Sequence, residues 1–175
     1  MKDILIVIDM QNDFISGTLG TKEAAAIVED TARKIADFHG SVFYTQDTHD
    51  ETYLQTQEGR MLPVAHCVKN TSGWELAGPI KALAGGHVYE KNAFASFELA
   101  ESLKEMNAAE PLNSVTLVGV CTDICVISNA LLLKAVLPET ALYVDASCCA
   151  GTTPEKHRSA LAVMKSCQIT VINEE

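Results

Sequence analysis

The chain has 175 residues, enough for one complete hydrophobic core and short for two, so a single domain over residues 1–175 is expected. Its 47% hydrophobic and 21% charged content is ordinary for a globular protein, with no linker, repeat or low-complexity tract. A formal net charge of -10 with scattered Lys and Arg argues against nucleic acid or an anionic membrane as a partner and leaves a small solute as the expected ligand.

The amino-terminal MKDILIVIDM contains a short apolar run ending in Asp9 with no small-residue cleavage pattern after it, so it reads as a strand over 4–8 and not as a secretory segment. A helix is predicted from about Lys22 to Phe38, with Ala24, Val28, Ala32, Ile35 and Phe38 on one stripe and Gly40 closing it. SVFYTQ predicts a strand over 41–46 and HVYE another over 87–90. Ser96 then caps a helix in FELAESLKEM, and SVTLVGV forms a strand over 114–120. The following helix, Ile124 to Leu137, is apolar almost all round, which predicts burial, in part against another subunit of a homo-oligomer. ALYVDA over 141–146 is the fifth strand, Thr153 and Pro154 start the last helix, and QITVI over 168–172 is the sixth strand. No segment approaches the roughly 18 apolar residues of a membrane span. The six cysteines, without a signal peptide, read as reduced thiols of a cytoplasmic protein rather than as a disulfide framework.

Strand and helix alternate throughout. That pattern predicts an α/β fold, a three-layer α/β/α domain with a six-stranded parallel sheet of Rossmann-like type and right-handed crossovers. Ligands of such folds bind beyond the carboxyl ends of the strands, so polar residues just after each apolar run are the candidates for chemistry. Asp9 follows the first strand, Asp47 and His49 the second, Lys91 the third, and Cys121 and Cys125 the fourth.

Two cysteines in GVCTDICVISNAL pose the sharpest question. Near the amino end of a helix, Cys125 meets free amides and a dipole that favour a thiolate, and the same amides can hold a developing oxyanion. The competing reading is a buried packing residue. The spacing to Cys121 is wrong for a CxxC redox pair or a zinc knuckle, and Cys121 reads as packing. Asp9 can accept a thiol proton while Lys91 stabilises both anions, although an Asp–Lys pair taken alone is equally a structural ion pair.

A second group lies between the second and third strands. Asp47 and His49 project to one side of an extended segment, and His66 on a later loop can fold back to them. One carboxylate and two imidazoles suit a divalent metal, zinc first, with iron or manganese as alternatives; hydrogen-bonded structural histidines are the other reading. Glu58 is a candidate fourth ligand or outer partner. Cys67, expected to point away from His66, reads as packing.

IVIDMQNDF, DTHDE, AHCVKNTSGWEL, EKNAFASFE and GVCTDICV, in this order over nearly the whole chain, resemble the isochorismatase-like cysteine hydrolases and, among them, the nicotinamidases. The resemblance implies that Asp9 is the general acid/base, Lys91 the charged third member of a triad and Cys125 the nucleophile. It implies an oxyanion hole from the backbone amides of Cys121 and Cys125, a cis peptide between Val120 and Cys121, and Asp47, His49 and His66 as metal ligands. Metal-free isochorismatase-type members lack that set. Phe14 falls where the family has an aromatic wall, with Phe94 and Phe97 as further pocket candidates. The implied reaction takes nicotinamide to nicotinate and ammonia through a thioester.

The chain departs from the family pattern at MLPVAHC, which lacks a preceding tryptophan, at Asn70-Thr71 in place of Gly-Thr, and at Asp50 after the DxH motif. Related enzymes cleave N-carbamoyl or ureido compounds with the same triad, so those substrates, and isochorismatase-type ones, stay open. Outside amide hydrolysis, a phospho-receiver domain also gathers acids and a lysine at strand ends but has no need of Cys125, His49 or His66. A non-catalytic small-molecule binding domain on the same fold would dispense with the nucleophile.

Overall fold

Unbroken apolar runs in the central strands demand cover on both faces. The computed structural model describes residues 2–85 and 87–174, and in it β1 (Lys2–Ile8) is fully buried from Ile4 to Ile8. Ile4, Ile6 and Ile8 face one apolar layer while Leu5 and Val7 face the other, the period-2 alternation of a strand. Five further strands complete the sheet: β2 (Ser41–Asp47), β3 (Val88–Lys91), β4 (Leu112–Val120), β5 (Ala141–Ala150) and β6 (Thr170–Ile172). All pairings are parallel, in the order β3-β2-β1-β4-β5-β6. The order reverses between β1 and β4, the position where ligands of open α/β sheets bind.

The helices are α1 (Asn12–Ile15), α2 (Lys22–Ala26), α3 (Val28–Ala36), α4 (Gln57–Met61), α5 (Gly78–Lys81), α6 (Phe97–Ala109), α7 (Ile127–Val136) and α8 (Pro154–Ser166). α6, α7 and α8 cover one face, and α1, α2, α3 and α5 the other. The caps predicted for α6 and α8 form: Ser96 accepts from the Leu99 amide and Thr153 from that of Lys156. The α/β fold with a six-stranded parallel sheet is as the alternation requires. No helix among the described residues is long and apolar enough to cross a membrane.

Three local departures matter. The helix expected over 22–38 is two helices meeting at Ile27, yet Ala24, Ile27, Val28, Thr31 and Ile35 remain one buried stripe, so packing outlasts the local slip in the hydrogen-bond ladder. The segment after β4 does not start as an α-helix: Thr122–Val126 is a π-helical turn, and α7 follows it. Within a single chain α7 is also not buried all round. It buries Asn129, Ala130 and Leu133, while Leu131 is 36% exposed, because an outer-layer helix meets the sheet along one face only.

Candidate active site

Sheet register does most of the assembly. Asp47 and Lys91 are the last residues of their strands and lie directly opposite each other, while Ile8 pairs with Gly119 on the other side of β1. Gly119 has φ 118, and a Cβ there would lie 2.1 Å from the Ile8 carbonyl oxygen, so only glycine lets β4 approach the end of β1 this closely. Asp9 then leaves β1 in the left-handed region, with φ 49. Thr45 of β2 holds it there: the Asp9 amide donates to Thr45 Oγ1 at 3.2 Å, and that hydroxyl donates to Asp9 Oδ1 at 2.6 Å.

Lys91 Nζ lies 2.7 Å from Asp9 Oδ2, 3.4 Å from Asp47 Oδ1 and 3.5 Å from Cys125 Sγ. An ammonium has three donors, and three acceptors surround this one. Asp9, Lys91 and Cys125 are exposed by only 0%, 6% and 5%. Burial pushes the Asp9 carboxyl above its ordinary range, against the pull of Lys91 and Thr45, which makes it a stronger base. Lys91 is held charged: burial opposes its charge, but Asp9, Cys125 and Asp47 outweigh it.

The helix amino end expected to draw Cys125 toward the thiolate is a π-helical turn, and burial acts in the opposite direction. Burial, followed by the charge of Asp9, raises the Cys125 thiol well above its usual range despite Lys91. Its proton must therefore be removed during reaction. Cys121 is also raised, to about 12, by burial and Asp123, consistent with a packing side chain. The peptide between Val120 and Cys121 is cis, as the resemblance implies.

The second group also converges. His49 forms an isolated parallel bridge with Val68, its amide donating to the Cys67 carbonyl at 3.0 Å, and this folds the 64–69 loop back over β2. His49 Nε2 and His66 Nε2 lie 3.0 and 3.5 Å from Asp47 Oδ2, with Glu58 Oε1 3.8 and 4.0 Å from the two imidazoles. His66 Nδ1 meets the Val64 carbonyl at 2.8 Å; a carbonyl only accepts, so Nδ1 carries the hydrogen and Nε2 is left free to bind a metal. Burial opposes the charge of Asp47, but His49, His66 and Lys91 hold its carboxyl well below the ordinary range. Glu58 is raised by burial and by Asp47.

Donor atoms of Asp47, His49, Glu58 and His66 all lie within 4.8 Å of one another, and two imidazoles with two carboxylates are a donor set suited to a divalent ion such as zinc. Glu58 thus lies together with the three residues that the resemblance implies as ligands. Cys67 is fully buried among apolar side chains, so it packs as expected.

A cavity of about 820 Å³ opens on this cluster, lined by Thr48, His49, Tyr53, Glu58, Met61 and Phe94 among others. Asp9, Lys91 and Cys125 do not line it; Asp47, in contact with both His49 and Lys91, lies between the triad and the lining residue His49. Phe14 does not line the cavity; its ring packs 5.6 Å from that of His66. Phe97 does not line it either, since the first turn of α6 turns its side chain outward, leaving it 70% exposed.

Residues with no chemical motif of their own complete the site. Asn129 of α7 donates to the Cys125 carbonyl at 2.8 Å and accepts from the Ser96 amide at 3.0 Å, tying the π turn to the segment after β3. Asp123 accepts from the amide and hydroxyl of Thr152, and Thr122 pairs with His157 of α8 at 2.8 Å, so the segment joining β5 to α8 and the start of α8 brace the same turn. Of these, Asn129 alone has a sequence signal of position, as a polar residue inside an apolar segment.

A thiol, a carboxylate and an ammonium at the switch point of a parallel sheet, beside a cluster able to hold a metal, define a hydrolase-like α/β site. The chain belongs to the isochorismatase family: the isochorismatase domain model matches residues 3–175, and the protein is an isochorismatase-family hydrolase. It is 33% identical over 146 residues to PncA of Bacillus subtilis strain 168, described as an uncharacterized isochorismatase family protein, covering 74% of this chain and 77% of that one. The solved pyrazinamidase/nicotinamidase of Streptococcus mutans UA159 superposes with a TM-score of 0.82 at 29% identity, covering 97% and 99% of the two chains. The pyrazinamidase of Pyrococcus horikoshii, solved in complex with zinc, gives 0.79 at 26% identity, covering 99% of this chain and 100% of that one.

Proposed function

We propose that this protein is a metal-dependent cysteine amidohydrolase that converts nicotinamide to nicotinate and ammonia. The observation that carries the reading is the shared ammonium of Lys91, which touches Asp9 and Cys125 on one side and the cluster member Asp47 on the other. An isolated structural ion pair has no reason to face a thiol and a four-donor cluster together.

In the first half of the reaction Asp9 takes the Cys125 proton, and the sulfur attacks the amide carbon. Burial raises the pKa values of Asp9 and Cys125, while Asp9, Cys125 and Asp47 keep Lys91 charged against its own burial, so the transferred proton stays within a balanced group. The backbone amides of Cys121 and Cys125 hold the oxyanion, and protonated Asp9 returns its proton to departing ammonia, leaving a thioester. Asp9 next deprotonates a water that attacks the thioester, releasing the acid and the Cys125 thiol. Asp47, His49, Glu58 and His66 would hold the divalent ion, which would supply a Lewis-acidic anchor for a substrate heteroatom.

The test is ammonia release from nicotinamide by the purified protein beside Cys125→Ala at matched metal content. Release by the parent, lowered about 10⁴-fold or more in the variant, is the expected result. A parent that holds metal yet leaves nicotinamide intact would reject this substrate in favour of N-carbamoyl or ureido compounds. Undiminished release by the variant would reject the thiol mechanism.

A further inference from the structure

Asp47 ends a strand, whereas His66 sits on a loop, so something must hold the two in register. The turn after β1 touches both. Gln11 is fully buried and clasps the backbone of Asp47: its Oε1 accepts from the Asp47 amide at 2.8 Å and its Nε2 donates to the Asp47 carbonyl at 2.9 Å. The same Nε2 donates to the Trp74 carbonyl at 2.8 Å, so both amide hydrogens of Gln11 are committed to backbone and none remains for substrate.

Asp13 does the corresponding work two residues on. Its Oδ2 accepts from the amide of Cys67, the residue after His66, at 2.8 Å, and Cys67 has φ 47, the left-handed region non-glycine residues seldom occupy. Gly73 closes over this carboxylate; a Cβ there would lie 2.2 Å from Asp13 Oδ2, so the space is reserved for the acid. The Asp13 amide also donates to the Gly73 carbonyl at 2.9 Å.

We infer that Gln11 and Asp13 are positioning residues that set the affinity of the Asp47, His49, Glu58 and His66 cluster for a divalent ion. The motif that carries Asp9 would thus organise the metal cluster as well, through backbone atoms of its ligand-bearing segments. Outer partners of this kind orient ligands before the ion arrives, and their loss typically weakens binding by about 10- to 100-fold. The inference rests on the reading that the cluster binds a divalent ion.

The experiment titrates zinc into chelator-stripped full-length protein against a chromophoric competitor, with thermal unfolding and iodoacetamide labelling of Cys125 measured on the metal-free samples. Gln11→Leu and Asp13→Ala are expected to lose about 10- to 100-fold in zinc affinity with labelling rates unchanged. Asp13→Asn should lose less, because its amide oxygen still accepts from Cys67. Gly73→Ala should match Asp13→Ala although the bonding residue is untouched, and with Asp13→Asn it carries the test if the larger changes fail to fold. Zinc affinity within about threefold of the parent in folded Gln11→Leu, Asp13→Ala or Gly73→Ala, or losses that follow unfolding temperature and not the hydrogen bond removed, would overturn the inference. A parent that binds no zinc would instead overturn the metal reading itself.

Discussion

The triad and the metal cluster are built by opposite means. Asp9 and Lys91 stand at the ends of β1 and β3 and Cys125 in the π turn that follows β4, so parallel register sets most of their spacing. Only Asp47 of the cluster is a strand residue; His49, Glu58 and His66 come from the segment between β2 and β3. Backbone ladders are cooperative and buried, whereas a loop holds its shape through a few bonds, such as the single bridge between His49 and Val68. The two halves should therefore fail separately, although Lys91 and Asp47 join them.

Asp9→Asn attacks the triad without touching a cluster donor. Turnover is expected to fall by about 10²- to 10⁴-fold while zinc binding persists, measured as steady-state rate and bound metal on one sample. Equal loss of zinc would show that the halves are not separable. His66→Ala attacks the other half: zinc affinity should fall by at least the roughly 10- to 100-fold typical of outer partners, while Cys125 keeps its rate of alkylation in metal-free protein. Slower alkylation would show that the cluster supports the nucleophile even when empty.

The smallest expected effect comes from a pair of the same residue types outside the site. Lys34 Nζ lies 2.6 Å from Asp145 Oδ2, with Ser147 and Asn173 also bonded to the carboxylate and no thiol or cluster among these partners. Burial opposes the charge of Asp145, but Lys34, Ser147 and Asn173 prevail and lower its pKa. A carboxyl whose pKa is lower folded than unfolded adds stability above the unfolded value of about 3.9 and loses it as pH falls through the folded value. Lys34→Met should therefore cost about 1–2 kcal/mol near neutral pH, less in acid, and leave turnover intact. Denaturant unfolding at pH 7 and pH 3 checks this, and a large loss of activity would mean the pair is not merely structural.

That contrast bears on how the sequence is read. An Asp–Lys pair carries no functional label, and Lys34–Asp145 is the structural pair that Asp9–Lys91 also had to be weighed against. Position separated the two: Asp9 and Lys91 both stand at carboxyl ends of predicted strands, whereas Lys34 lies within the predicted helix over 22–38, which is readable without coordinates. Glu58 was legible as a cluster member for the same reason as His66, by lying in the one long connection beside Asp47. Phe97 was misplaced because an aromatic in a helix's first turn can face inward or outward, and only packing chooses.

The amino-acid sequence by itself determined the alternating strands and helices, the edge where chemistry gathers and the residue types available there, because these follow from hydrophobic period and from the grammar of parallel sheets. Tertiary structure alone decided that Asp47 faces Lys91 in register, that Cys125 lies buried in a π turn, and that Gln11 and Asp13 reach segments 36 and 54 residues away. Local pattern constrains neighbours along the chain. Burial, charge balance and hydrogen bonding at the site depend on which distant segments meet, and that is settled only when the whole core closes.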